Sequence, residues 1–221
     1  MDCQTCTYKS EAFKQLTCEQ MLTVSEQHTE LAFKHGELLS KQGMLMSHVI
    51  YVLDGFVKLY TEEDDEVTAL GIAKPGTYIG IQMIYGRTVT PFSVEAMTDV
   101  RVCMIGIDVF REMIIENAGF ARGIIEMLND ELTRAYGRIY SLTQKHVNAR
   151  FVELLLYLKN FVYRCNPFYL TISRKEIADL ISTSPETVSR LLGEFKKDDL
   201  IEVNGHTIKL TDIRRLKAIR K

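Results

Sequence analysis

No stretch of about eighteen apolar residues occurs in this chain, so no transmembrane helix is expected. The first ten residues, MDCQTCTYKS, are polar and carry no signal-peptide core, and a cytoplasmic location is expected. Charge of either sign is not in surplus: 27 Lys and Arg face 29 Asp and Glu, a net of −2, which excludes a protein that is basic throughout. There is no P-loop, no Gly-x-Ser-x-Gly and no His-Glu-x-x-His. His28, His35, His48, His146 and His206 are scattered, and no pair of groups points to catalysis, so no enzyme is expected. Internal repeats and low-complexity segments are also missing. In a reducing compartment the five cysteines are expected as thiols or metal ligands rather than disulfides.

What is present is an ordinary soluble composition, 46% hydrophobic and 25% charged. The charge is unevenly spread. From residue 171 onward 11 Lys and Arg oppose 8 Asp and Glu, a local +3, so the remainder carries −5. Mild basicity confined to one end fits a phosphate-contacting surface.

That end contains TISRKEIADLISTSPETVSRLLGEFKK, residues 171–197. Ser173 and Glu176 have the spacing of a capping box, and Ile177, Ala178, Leu180 and Ile181 fall on one helical face. Ser182, Thr183 and Ser184 make a turn; Ser184 caps a second helix, with Pro185 at its first position. Val188, Leu191, Leu192 and Phe195 form the buried face of that helix. Glu186, Thr187, Ser189 and Arg190 are left outward near its N-terminus. In a helix-turn-helix those positions enter the major groove, where Arg pairs with guanine and Glu accepts from cytosine. Leu200, Ile201 and Val203, then Asn204-Gly205, then Thr207, Ile208 and Lys209 read as a hairpin wing. Thr211 and Asp212 open a basic last helix with Arg214, Arg215, Lys217 and Arg220.

The run ETVSRLLGEFKKDDLI resembles the recognition helix and wing of the Crp–Fnr family of bacterial transcription regulators, and Glu-Thr-Val-Ser-Arg is similar to the Fnr branch. The resemblance implies Glu186, Ser189 and Arg190 as base-reading residues and a TTGA-like half-site. Phosphate contacts are expected from Arg174, Lys175, Ser184, Thr187, Lys196 and Lys197. Ser182 stands where the family often has Gly. Pro185 stands where the cyclic-AMP-binding branch has Arg, which leaves the outer base of the half-site open. Double-stranded DNA and RNA polymerase are the implied partners.

Residues 19–117 read as short strands at His28–Phe33, Leu38–Lys41, Val49–Leu53, Phe56–Tyr60, Val67–Ile72, Tyr78–Ile79, Ser93–Met97 and Arg101–Ile105, closed by a short helix. FKHGELLSKQG and IYVLDGFVKLY resemble the cyclic-nucleotide-binding-like β-roll of the same family. The effector pocket is expected around Gly80, Ile81, Arg87 and Tyr136. It is not expected to take cyclic AMP: Ile81 stands in the place of the family's ribose-binding Glu, and Thr90, Pro91 and Phe92 stand near its Arg place. The effector stays unidentified.

Residues 118–145 read as a long helix with an apolar seam of Ile124, Leu128, Leu132, Ala135, Ile139 and Leu142. The resemblance makes this the helix of a homodimer. Oxygen-sensing Fnr proteins carry an acidic residue on that seam; Ala135 supplies no such repulsion, which implies a dimer without a cluster. Residues 146–150 are read as a hinge, Phe151–Tyr163 as a helix and Cys165 as structural. The whole is an α+β chain. A Cys-containing segment (1–18) precedes a jelly-roll sensor domain (19–117). The dimerisation helix (118–145) and a winged helix-turn-helix domain (146–221) follow.

The default for cofactors is none. Cys3-x-x-Cys6 also reads as a metal or redox motif, and the resemblance implies a 4Fe-4S cluster on Cys3, Cys6, Cys18 and Cys103. The alternative function is therefore a redox or iron–sulfur sensor acting through those cysteines.

Overall fold

Positive-φ corners separate the strands of the N-terminal part. At Gly55, φ is +80°, and a Cβ there would collide with the backbone carbonyl of Asp99, so the tight Asp54-Gly55 corner needs glycine. The computed structural model describes residues 3, 5–64, 66–86 and 89–219. They form two compact units, residues 1–64 with 71–135, and residues 65–70 with 136–221.

The N-terminal unit opens with a 3-10 turn at Phe13–Gln15 and helix α1, Cys18–Gln27. Thr17 and Gln20 cap α1 with a full capping box. Strands β1 (His28–Phe33), β2 (Leu38–Ser40), β3 (His48–Asp54), β4 (Val57–Glu63), β5 (Glu66–Ala73), β6 (Tyr78–Ile79), β7 (Ser93–Ala96) and β8 (Val100–Gly106) follow. They make two four-stranded sheets, ordered β1-β8-β3-β6 and β2-β7-β4-β5. The pairings are antiparallel and mostly join strands distant in sequence, such as β1 with β8 and β4 with β7. Val49 to Leu53 of β3 are buried without alternation, because both faces of this inner strand are covered. Helices α2 (Ile107–Glu116) and α3 (Ala118–Gln144) close the chain of elements. Asn117 caps α3, its Oδ1 accepting from the Phe120 amide at 2.8 Å. An aromatic chain of Phe13, Tyr51, Tyr78, Phe110 and Phe120 ties these helices to β3 and β6, with ring centroids 4.4 to 6.1 Å apart.

In the C-terminal unit, α4 (Val147–Tyr157) passes into a π-helical turn at Leu158–Val162. Strand β9 (Phe168–Tyr169), helices α5 (Arg174–Ile181) and α6 (Pro185–Lys197), strands β10 (Ile201–Asn204) and β11 (Thr207–Leu210) and helix α7 (Ile213–Ile219) complete it. The three strands are ordered β10-β11-β9. The core centres on Phe151, Leu155, Leu158, Phe168, Ile177, Leu191 and Leu216, all at most 1% exposed.

Three expectations are corrected. The hinge at 146–150 is helical from Val147, with His146 as N-cap, because Ala149 belongs to the buried stripe of α4. The helix expected at Phe151–Tyr163 leaves regular α geometry after Tyr157. Cys165 is exposed, so it fills no core. Helix α1 and strand β9 were not foreseen: α1 buries only Val24 fully, and β9 is two residues long.

Candidate functional site

Helices α5 and α6 carry the residues expected to face DNA. Ser173 caps α5, accepting from the Glu176 amide at 3.1 Å, while the Glu176 carboxylate accepts from the Ser173 amide at 2.7 Å. The turn works through Ser182, which adopts φ +50° in the left-handed region. Ser184 caps α6 by accepting from the Thr187 amide at 3.3 Å, and Pro185 occupies the first helical position. Val188, Leu191, Leu192 and Phe195 are buried, so the opposite face must be the solvent face.

On that face Glu186 and Arg190 are exposed, and Thr187 and Ser189 are half-buried. The Glu186 carboxyl is held below the usual carboxylate range by the Ser184 hydroxyl and by its own amide. Arg190 pairs with Glu194 at 2.7 Å, not with Glu186. Arg174 reaches across from α5 and donates to Ser189 Oγ at 3.1 Å. Ser189 Oγ in turn donates to the Pro185 carbonyl at 2.9 Å. Lys175, Ser184, Lys196 and Lys197 are exposed around this face. Arg214, Arg215 and Lys217 of α7 are exposed as well; Arg220 lies outside the described residues.

Two arginines that sequence reasoning did not single out hold the turn. Arg138 donates to the carbonyls of Leu180 at 3.1 Å and Ala69 at 2.8 Å. Arg150 donates to the carbonyls of Leu142 at 2.9 Å and Ser182 at 3.3 Å. Leu180 and Ser182 sit at the end of α5, where carbonyls lack intrahelical donors and the helix dipole is negative. Burial lowers the Arg138 pKa from its ordinary value, which marks the cost of keeping a guanidinium there.

The apolar seam of α3 divides. Ile124 is buried in the core of the N-terminal unit, and Leu128 packs against that core, so Ile124 is not available to a partner. Leu132 and Ile139 are 50% and 57% exposed, Ala135 is exposed and Leu142 is half-buried. Ile125, Tyr136 and Tyr140, outside the expected seam, are also exposed.

At the expected effector pocket, Gly80 has φ +96° and a Cβ there would run into the Met46 thioether. Ile81, Met83, Ile84 and Phe92 are buried, and the Thr90 hydroxyl is engaged with the Lys41 carbonyl at 2.7 Å. Arg87 lies outside the described residues, and Tyr136 is exposed in the other unit.

The cysteines part company. Cys3, Cys6 and Cys103 line one small cavity of about 30 Å³ on the N-terminal unit, together with His28 and Tyr51. Burial, and then the nearby charges of Cys3, Glu30 and Cys6, push the Cys103 thiol up to about 12. Cys18 opens α1, is exposed, and does not line the cavity. The expected four-cysteine set therefore does not assemble. Among the described residues no three His, Cys, Asp or Glu groups are placed to hold a single metal ion.

A family model described as "Crp-like helix-turn-helix domain" matches residues 149–219, and one described as "Cyclic nucleotide-binding domain" matches residues 30–117. Electron transport regulator A of Shewanella oneidensis is 27% identical over 175 residues, covering 76% of this chain and 69% of its own length. Transcriptional activator protein FnrL of Cereibacter sphaeroides is 29% identical over 182 residues, covering 77% of this chain and 72% of its own. The solved structure of FixK2 from Bradyrhizobium japonicum is similar in fold, with a TM-score of 0.78 at 22% identity over 88% of this chain and 98% of that one. With a cyclic-nucleotide-binding fold, a long helix and a Crp-like helix-turn-helix in that order, the chain belongs to the Crp–Fnr family of DNA-binding transcription regulators and is not an enzyme.

Proposed function

We propose that the protein acts as a homodimer that reads a palindromic, TTGA-like operator through Glu186, Ser189 and Arg190. One observation carries this reading: the first turns of α6 present Glu186 and Arg190 to solvent, with Ser189 half-buried between them, while capping and core packing fix the helix beneath. Arg190 exchanges Glu194 for a base edge on binding, since an exposed ion pair is worth little. Arg174, Lys175, Thr187, Lys196 and Lys197 supply phosphate contacts, and RNA polymerase is the downstream partner. Exposed Leu132, Ile139 and Tyr136 on α3 are the seam two copies share. Two-fold symmetry then spaces the half-sites about ten base pairs apart, one helical repeat. A duplex with TTGA and TCAA at that spacing should be shifted by the protein in preference to a scrambled duplex. Equal affinity for both sinks the half-site assignment, and a monomer on gel filtration sinks the dimer.

The signal is not cyclic AMP on this reading, because Ile81 offers no hydrogen bond to a ribose and is packed into the core. A second reading concerns the signal: an iron–sulfur cluster held at the cavity of Cys3, Cys6 and Cys103. Such a cluster supplies redox and oxygen sensitivity when bound. Iron and sulfide analysis of anaerobically purified protein tests it.

A further inference from the structure

One guanidinium nitrogen of the C-terminal unit serves two carbonyls from distant parts of the chain. Arg138 Nη2 donates to the Ala69 carbonyl of β5 at 2.8 Å and to the Leu180 carbonyl of α5 at 3.1 Å. We propose that this contact is a latch: it holds the β4–β5 hairpin, with its run of acidic residues, beside the recognition turn, where the hairpin acts as a brake on DNA binding. The brake presupposes DNA binding through α6 but not the half-site proposed above.

Both acceptors are carbonyls that their own elements leave unpaired. Strand β5 is the outer strand of its sheet, and the open edge of an outer strand has carbonyls without a neighbour. Leu180 lies in the last turn of α5, where carbonyls have no intrahelical donor. Ala69 is buried, and residues 65–70 belong to the same compact unit as the helix-turn-helix. Sharing one nitrogen keeps the two oxygens within about 6 Å of each other. From Leu180 the chain turns at Ser182 and enters α6 after Ser184, at the end of the helix that approaches the groove.

The charge near the latch gives it a sign. Residues 62–66 read Glu-Glu-Asp-Asp-Glu. Glu62, Glu63, Asp64 and Glu66 are exposed, and Glu66 precedes Ala69 by roughly 10 Å of extended strand. The Debye length is about 10 Å at 0.1 M salt, so phosphates arriving at the turn feel these carboxylates. Burial lowers the Arg138 pKa, so the contact carries a desolvation cost and is held loosely enough to open. Drawing β5 away from the turn breaks its tie at a single atom and takes the negative charge with it.

The test combines a tip variant with a latch variant. The four exposed acidic residues are neutralised together, as Glu62→Gln, Glu63→Gln, Asp64→Asn and Glu66→Gln, in wild type and in Arg138→Met. Far-ultraviolet circular dichroism is the folding control. Affinity is read by fluorescence anisotropy on the TTGA and TCAA duplex and on a scrambled duplex. In wild type, neutralisation is expected to tighten both about five-fold at about 50 mM salt and less than about two-fold at about 300 mM. In Arg138→Met the same change is expected to add less than about two-fold even at low salt, because the tip is no longer held at the turn. No tightening in wild type overturns the brake. Equal tightening in both backgrounds is an effect of net charge alone and overturns the latch. Equal affinity for the two duplexes sinks the half-site assignment and leaves this comparison intact, whereas binding to neither sinks the DNA-binding reading and the brake with it.

Discussion

Arg150 donates to the carbonyl of Ser182 at 3.3 Å, and beside it Arg138 donates to the carbonyl of Leu180 at 3.1 Å. Helix α5 is only eight residues long, and its last carbonyls need donors from outside the helix. Two guanidinium groups from other elements supply them and so set where the turn into α6 begins. Truncating Arg138 to alanine leaves two carbonyls without this donor, and a cost of about 1–3 kcal/mol is expected. The measurement is the urea midpoint of the C-terminal transition. Arg138→Met, which keeps the stem packed, should cost less than Arg138→Ala. An unchanged midpoint for the alanine variant would show that the clamp contributes nothing.

Ser182 holds φ +50°, a conformation that strains any residue with a Cβ. Ser182→Gly is therefore expected to stabilise the C-terminal unit by up to about 1 kcal/mol, because relief of strain outweighs the extra chain entropy of glycine. Ser182→Val should destabilise it, since a β-branched residue fits the left-handed region worst. Paired thermal melts decide the sign; a lower Tm for the glycine variant counts against strain at this turn.

The contrast between these residues shows what a sequence can disclose. Ser173 with Glu176, and Ser184 with Pro185, act on atoms at most three residues away, so spacing alone gave both caps and both helix starts. The strands around Val94 and Val102 were readable from short apolar runs bounded by turn residues, although their burial does not alternate strictly. Arg138 and Arg150 were opaque, because their partners lie up to 69 residues away and are backbone carbonyls, which leave no mark on side-chain identity. His28 was opaque in the same way: only folding brings it to the Cys3–Cys6 segment. Ile124 misled because an apolar stripe looks alike whether it faces its own core or a second copy.

Alkaline pH should weaken the N-terminal unit. The Cys103 thiol is pushed up to about 12 by burial first and then by neighbouring charge, and the Tyr51 phenol is pushed up to about 12 by burial first as well. Burial also drives Tyr78 well above its ordinary value. Free cysteine and tyrosine lose their protons near about 8.5 and 10. Below these values both states hold the proton, and the full stabilisation is present. As pH rises further, the unfolded chain releases its protons first, so stability falls progressively until the folded groups titrate. Urea midpoints taken upward from about pH 7 should hold level and then drop above about pH 8.5, with Cys103→Ala delaying the onset of the fall. A midpoint flat through about pH 11 would rule out this linkage.

Arg174 and Arg190 occupy one exposed face but should behave differently on DNA. Arg174 belongs to the first turn of α5 and rests on Ser189, beside the recognition helix rather than on it. The first helix of a helix-turn-helix crosses the phosphate backbone, while the second enters the groove. Arg174→Ala is therefore expected to weaken cognate and single-base-variant duplexes by the same factor and to reduce the salt slope by about one. Arg190→Ala should cost about 1–3 kcal/mol at the guanine position and little elsewhere, so its loss depends on sequence. Titrations of both variants against the same set of duplexes at several salt concentrations separate the roles. If Arg174→Ala instead removes discrimination at one base, that arginine reads sequence, and the outer position left open by Pro185 becomes the base to assign to it.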